Sequence, residues 1–326
     1  MGTIVAGFAS THALTFLEPG EWDDFRARIA AAYERRYGQP PSPRPEVLAA
    51  IESETLEANA HRYKAIRDGV KDLGERIAQA RPDVVLLVGD DQNENFPEDR
   101  VLPQIAVFTG DAYTLGGRAA NRSRTVRSHA AVASAILAQG VGDGFDVATV
   151  PAFAEGALSS HAHYQIVEHV IGALEVAAVP VFVNALHQPA PSPARCVAFG
   201  ESLARAVAGW PEPARVVVIA SGGLSHFTSG YPWKHYTGPH SFGSISVDFD
   251  RWVIDRLRAG DLAALRGLTS QDLLDHGDIE LRSWLVLLGA LGPVPTRTLV
   301  YEPFYRGLMG MAVAGWDGPT EAVVAR

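Results

Sequence analysis

Arg215-Val216-Val217-Val218-Ile219-Ala220 runs without a break into Ser221-Gly222-Gly223-Leu224-Ser225-His226, and the reading of this stretch decides the fold. Consecutive apolar, mostly β-branched side chains leave the segment no polar face. Such a run fits a strand covered by helices on both sides. Thr3–Phe8, Val84–Val88, Ile105–Phe108, Val147–Val150 and Val179–Asn184 have the same character. Between them lie helical periodicities: one or two long helices in Glu46–Gln79, then Ser128–Gln139, Tyr164–Leu174 and Pro193–Ala208. After Ala220, taken as the end of the last strand, Val247–Ala259 and Asp278–Leu291 are again helical in period. The proline-rich Gln39–Pro45 is expected to be a loop between two amino-terminal helices. This alternation predicts an α/β protein: a single layered domain over residues 1–326, with a mostly parallel or mixed central sheet flanked by helices.

Composition narrows the function. A chain of 326 residues, 47% hydrophobic and 20% charged, buries a large core without cross-links. Its single cysteine, Cys196, excludes an intrachain disulfide and suits a reducing compartment. The first residues, Met1–Gly7, lack the basic start of a signal peptide, and no apolar stretch has the length of a membrane span. A cytoplasmic, membrane-free protein is expected. The net charge of −9 speaks against nucleic acid as a partner. The one basic cluster, Arg118, Arg122, Arg124 and Arg127, reads first as a solvated loop. Its sharper reading is a rim that attracts a carboxylated substrate.

In α/β sheets ligands bind beyond the carboxyl ends of the strands, so the residues that follow each strand carry the chemistry. Strand one ends in Ala9-Ser10-Thr11-His12, and Val84–Val88 ends in Gly89-Asp90-Asp91-Gln92-Asn93-Glu94-Asn95-Phe96. After Val147–Val150 the chain passes Gly156 to reach Ser159-Ser160-His161-Ala162-His163. Val179–Asn184 ends near His187, and the opening stretch ends in His226. Gly222 and Gly223 permit a sharp turn and close approach to a ligand. His12, His161 and His226, so placed, suit metal binding or proton transfer near neutral pH. Glu280, opening the helix that bears Trp284, could turn a carboxylate to the same cleft. Each residue also has an ordinary structural reading, as a hydrogen-bonded strand-end histidine or a glutamate favouring a helix dipole. His61, His129, His169, His235, His240 and His276 have no such placement.

Arg195–Leu203 followed by Val216–His226 resembles the signature of the class III extradiol dioxygenases, the LigB-like enzymes. Gly7-Phe8-Ala9-Ser10-Thr11-His12 is similar to that family's first iron-ligand motif. Ile279-Glu280-Leu281 with Trp284 and Gly289-Ala290-Leu291 resembles the segment carrying its carboxylate ligand. Arg81–Asp91 resembles the strand before its second histidine ligand. The matches keep the family's order from residue 7 to about 291. The resemblance implies a single catalytic domain that opens a catecholic ring with O2 at non-haem Fe(II). His12 and Glu280 would be metal ligands and His226 the acid–base residue. His161 would be a second histidine near substrate and oxygen, with His163 competing for that role. The resemblance also implies a homo-oligomer, with a small helical partner subunit as in some such enzymes.

The sequence departs from that pattern at two positions. Gln92 stands where the family has its second histidine ligand, so the implied metal set is His12, Gln92 and Glu280. An amide oxygen is a weaker and harder donor than imidazole, and such a site should hold iron about tenfold less tightly or worse. Asp90 or Asp91 is the expected source of an added oxygen donor, which would move preference towards Mn2+ or another divalent ion. Ser160 stands where relatives often carry aspartate. Gln92 therefore keeps open a metal-assisted hydrolase, lyase or decarboxylase on the same scaffold. A metal-free binding subunit would have no need for His12, His226 and Glu280 together. A serine hydrolase built on Ser225-His226 lacks the Gly-x-Ser-x-Gly elbow. Tyr301, Phe304, Tyr305 and Trp284 are possible walls of an aromatic pocket.

Overall fold

Alternate residues of the central strands face two different cores. Val84, Leu86 and Val88, with Val216, Val218 and Ala220, pack into one. Val85, Leu87, Val217 and Ile219 pack into the other. A computed structural model describes residues 1–115, 124–153 and 159–318. Its strands are β1 (Gly2–Ser10), β2 (Val84–Gly89), β3 (Ile105–Phe108), β4 (Ala112–Leu115), β5 (Arg124–Arg127), β6 (Val147–Val150), β7 (Ala177–Val183), β8 (Ala214–Ser221), β9 (Thr298–Phe304) and β10 (Met309–Asp317). The helices are α1 (Trp22–Tyr37), α2 (Pro45–Ser53), α3 (Leu56–Ala80), α4 (Ala130–Gly142), α5 (His161–Ile166), α6 (Pro193–Ala208), α7 (Val247–Ala259), α8 (Leu262–Arg266), α9 (Ser270–His276) and α10 (Leu281–Leu291).

The main sheet has eight strands in the order β6-β3-β7-β2-β8-β1-β10-β9. β7, β2, β8 and β1 are mutually parallel, whereas β3 and β10 run antiparallel to their neighbours β7 and β1. The sheet is therefore mixed, with a parallel centre flanked by helices, as the alternation implies. β4 and β5 form a separate hairpin. Among the described residues no helix is long and apolar enough to cross a membrane.

Three local features fix the helices that matter for function. Thr55 caps α3 by accepting from the Ala58 N–H at 3.2 Å. Ile66, Val70, Leu73 and Ile77 then bury one stripe of that helix. α10 is buried along its whole length and crosses α6 at two glycines. A Cβ on Gly200 would lie 2.0 Å from the Val286 carbonyl oxygen, and one on Gly289 2.1 Å from that of Val197. Only glycine lets these backbones meet, and the contact fixes the start of α10.

Several elements differ from the expectation. Ala220 does not close the last strand: β9 and β10 extend the sheet beyond β1. Glu46–Gln79 divides into α2 and α3, and α1 precedes them. Tyr164–Leu174 is the end of α5 running into a π-helical turn, Val167–Ile171. The predicted aromatic wall is not one. Trp284 lies in the core edge-on to Trp316, and its indole donates to the Gly222 carbonyl at 3.1 Å. Phe304 packs on Trp22, and the Tyr301 hydroxyl donates to Asp250 at 2.5 Å. Arg124 and Arg127 lie on β5, with Arg124 donating to the Gly172 carbonyl at 3.1 Å. Arg118, Arg122 and Gly156 lie outside the described residues.

Candidate metal centre

Because β2, β8 and β1 are adjacent and parallel, their carboxyl ends deliver Asp90, Gln92, Ser221, His226 and His12 to one edge of the sheet. α10 brings Glu280 to the same place from above, as its N-cap residue. Gly222 makes this possible: a Cβ there would stand 2.9 Å from the Cβ of Glu280. The Gly223 N–H, freed by the turn after β8, donates to Glu280 Oε2 at 2.7 Å.

His12, Asp90 and Glu280 are all buried, and they present ligand atoms within 4.8 Å of one another. Donors around one small divalent ion at about 2.1 Å stand roughly 3 to 4 Å apart, so little closing is needed. The donor chemistry fits such an ion. The Ser221 hydroxyl donates to the Ala162 carbonyl at 2.7 Å and so accepts from His12 Nδ1, 3.1 Å away. That bond fixes the His12 tautomer and leaves the Nε2 lone pair towards the carboxylates. Asp90 is fully buried, and its Oδ1 has no hydrogen-bond partner among the described residues. Burial, and then the neighbouring Glu280, push the Asp90 carboxyl well above the usual carboxylate range. Two carboxyl groups beside an imidazole that burial pushes down to about 4, and so holds uncharged, form a donor set that could hold a divalent ion.

Gln92 does reach this group. Its Nε2 lies 3.1 Å from Glu280 Oε1 and 3.3 Å from Asp90 Oδ2. Its amide oxygen faces Gly230, where a Cβ would come within 2.9 Å. A half-turn of the amide would direct that oxygen to the carboxylates instead.

His226 stands across Glu280, with Nε2 3.5 Å from Oε1. Its Nδ1–H donates to the Leu224 carbonyl at 2.7 Å, so Nε2 is the working atom. Burial alone would lower its pKa, but the Glu280 carboxylate outweighs that and raises it to about 9. The segment around His226 is held by Asp250, which accepts from the Ser225 N–H at 3.0 Å and the Ser225 hydroxyl at 2.9 Å.

His161 lies on the other side of His12. Its Nε2 is 3.1 Å from His12 Nε2, and its Nδ1 is 2.5 Å from Glu94 Oε1. Burial opposes its charge, yet Glu94 raises the pKa to about 9. His163, the competing residue, is turned away: it is wholly buried, bonded to Ser160 Oγ at 2.5 Å and to the Val181 carbonyl at 3.2 Å. Neither the burial of Asp90 nor the role of Glu94 was evident from sequence. In Asp90–Glu94 a run of polar residues after a strand looks like an ordinary solvated turn.

The family model described as the catalytic LigB subunit of aromatic ring-opening dioxygenase matches residues 45–311. A gallate dioxygenase of Pseudomonas putida is 29% identical over 116 residues, covering 35% of this chain and only 31% of that protein's length. A 2,3-dihydroxyphenylpropionate/2,3-dihydroxicinnamic acid 1,2-dioxygenase of a Rhodococcus species is 23% identical over 270 residues, covering 71% of this chain and 82% of its own. Its counterpart in Rhodococcus jostii is 24% identical with the same coverage, 71% and 82%. Among solved structures, an uncharacterized protein of Escherichia coli K12 shares the fold, with a TM-score of 0.50 and 12% identity over 95% of this chain and 99% of that one.

Proposed function

The chain belongs to the LigB family of aromatic ring-opening dioxygenase catalytic subunits, and on that premise we propose that it opens a catecholic ring beside its diol with O2 at Fe(II). The observation that carries this reading is the buried trio His12, Asp90 and Glu280, whose ligand atoms lie within 4.8 Å of one another beside His226. In this reading His12 and Glu280 hold the ion, Asp90 adds an oxygen donor, and Gln92 adds its amide oxygen after the half-turn. The bound ion would hold the diol and O2 side by side and carry electrons between them.

The remaining work falls to the chain. An ion engaging Glu280 would withdraw the charge that keeps His226 protonated. Its Nε2 would then take the proton that a catechol hydroxyl loses, since Nδ1 is committed to the Leu224 carbonyl. The Gly223 N–H fixes Glu280 through its second oxygen. Cys196 takes no part in this chemistry: it is buried, and burial pushes its thiol up to about 12.

His226→Gln tests the reading. It should leave the bound ion in place and lower O2 uptake with catechols by about 10²–10⁴-fold. Unchanged uptake in that variant would remove His226 from the chemistry. A second reading, a metal-assisted hydrolase, lyase or decarboxylase, has one observation in its favour. The oxygen-rich group of Asp90, Glu280 and Gln92 suits a harder ion than Fe(II). A stoichiometric ion with no O2 uptake across a catechol panel would select it.

A further inference from the structure

The second imidazole that Gln92 fails to supply has a counterpart on α5. Glu94 is an acceptor: it takes the Gln92 N–H at 2.6 Å and stands 2.5 Å from His161 Nδ1. Nδ1 of His161 is therefore committed to Glu94, and Nε2 is the atom it can offer to an ion. The same holds for His12, whose Nδ1–H is taken by Ser221. The two Nε2 atoms face each other at 3.1 Å. Without an ion a proton is shared between the two nitrogens, and an ion would take that proton's place. About 3 Å is also the separation of two neighbouring donors on one ion.

We propose that His161 is the second imidazole donor of the metal centre, completing a set with His12 and Glu280, and that Glu94 is the positioning residue that aims it. The proposal rests on reading this site as a metal centre. It assigns His161 to the ion instead of to proton transfer, leaving His226 as the acid–base residue. Two histidines and a carboxylate on one face form the set typical of non-haem iron. A carboxylate that receives the far N–H of a ligating imidazole is the usual means of fixing its tautomer and raising its basicity. Here Glu94 does for His161 what Ser221 does for His12. The chain thus keeps two imidazoles while drawing one from a different strand end, and Gln92 is freed from being a principal donor.

The experiment counts imidazoles without reference to turnover. Full-length protein loaded with Cu2+ is examined by pulsed EPR, whose echo modulation counts bound imidazoles, and Co2+ affinity is measured against a competing chelator. The proposal expects two imidazoles in the wild type and one in His161→Gln, with Co2+ affinity reduced about 10–100-fold. Glu94→Gln should keep both imidazoles and weaken Co2+ about tenfold. His161→Asn provides an independent variant should His161→Gln fold poorly. A wild-type count of one, or a count and affinity that His161→Gln and His161→Asn leave unchanged, would overturn the proposal while leaving a metal centre of other donors. A wild type that takes up no ion in stoichiometric amount would overturn the metal reading itself, and this proposal with it.

Discussion

At the scale of single residues, the site depends on hydrogen bonds that decide which nitrogen or oxygen is offered. Ser221 holds His12 Nδ1–H at 3.1 Å. Ser221→Ala removes that acceptor and should weaken metal binding about tenfold while leaving the fold intact, as read by chelator competition. Asp250 has a different task. It accepts from the Ser225 N–H, the Ser225 hydroxyl and the Tyr301 hydroxyl, all within the buried region behind His226. Asp250→Ala would leave these donors unpaired and should cost about 2–4 kcal/mol in urea unfolding. His12, His226 and Glu280 were legible as strand-end or helix-start residues, and the structure does bring them together with Gln92. Asp90 was legible only as one of two candidates, with Asp91, for an added oxygen donor, and the role of Glu94 was not legible. A carboxylate in a polar turn looks the same in sequence whether it faces water or a buried ion.

At the scale of elements, the parallel centre was readable because strands covered on both faces have no polar positions. β2 and β8 are buried at nearly every residue. β9 and β10 escaped for opposite reasons. β9 is an edge strand, mostly half-buried, and contains Pro303, which breaks the apolar pattern. β10 is buried, but Gly310 and Gly315 interrupt it and Ala312 and Ala314 lie between them, a weak strand signal. The α6–α10 crossing was hidden for a similar reason, since glycines inside helices read as weaknesses. Their role is testable. Gly200→Ala and Gly289→Ala would each drive a methyl against backbone oxygen, at 2.0 and 2.1 Å. Each should destabilise the protein by about 3 kcal/mol or more, or prevent folding. Gly142→Ala, with nothing within 4 Å of the added carbon, should be neutral within about 1 kcal/mol. Thermal unfolding of the three variants separates these outcomes.

At the scale of the whole molecule, the sheet order explains why distant segments form one site. β2, β8 and β1 are neighbours, so residues 12, 90 and 221–226 meet although they are far apart in the chain. An ion held by these segments ties the strand ends to α10, and binding to the folded state alone stabilises it. At a metal concentration about 100 times Kd, the gain should be about 2.7 kcal/mol, reversed by a chelator and absent in Glu280→Gln. The central claim is a metal-dependent ring-opening dioxygenase, and one measurement tests it most directly. Protein reconstituted anaerobically with Fe(II) is assayed for bound iron and for O2 uptake with protocatechuate, gallate and simple catechols. The account predicts one iron per chain and uptake with at least one diol, abolished in His12→Ala and Glu280→Ala. Iron retained in full with no uptake from any diol would contradict it.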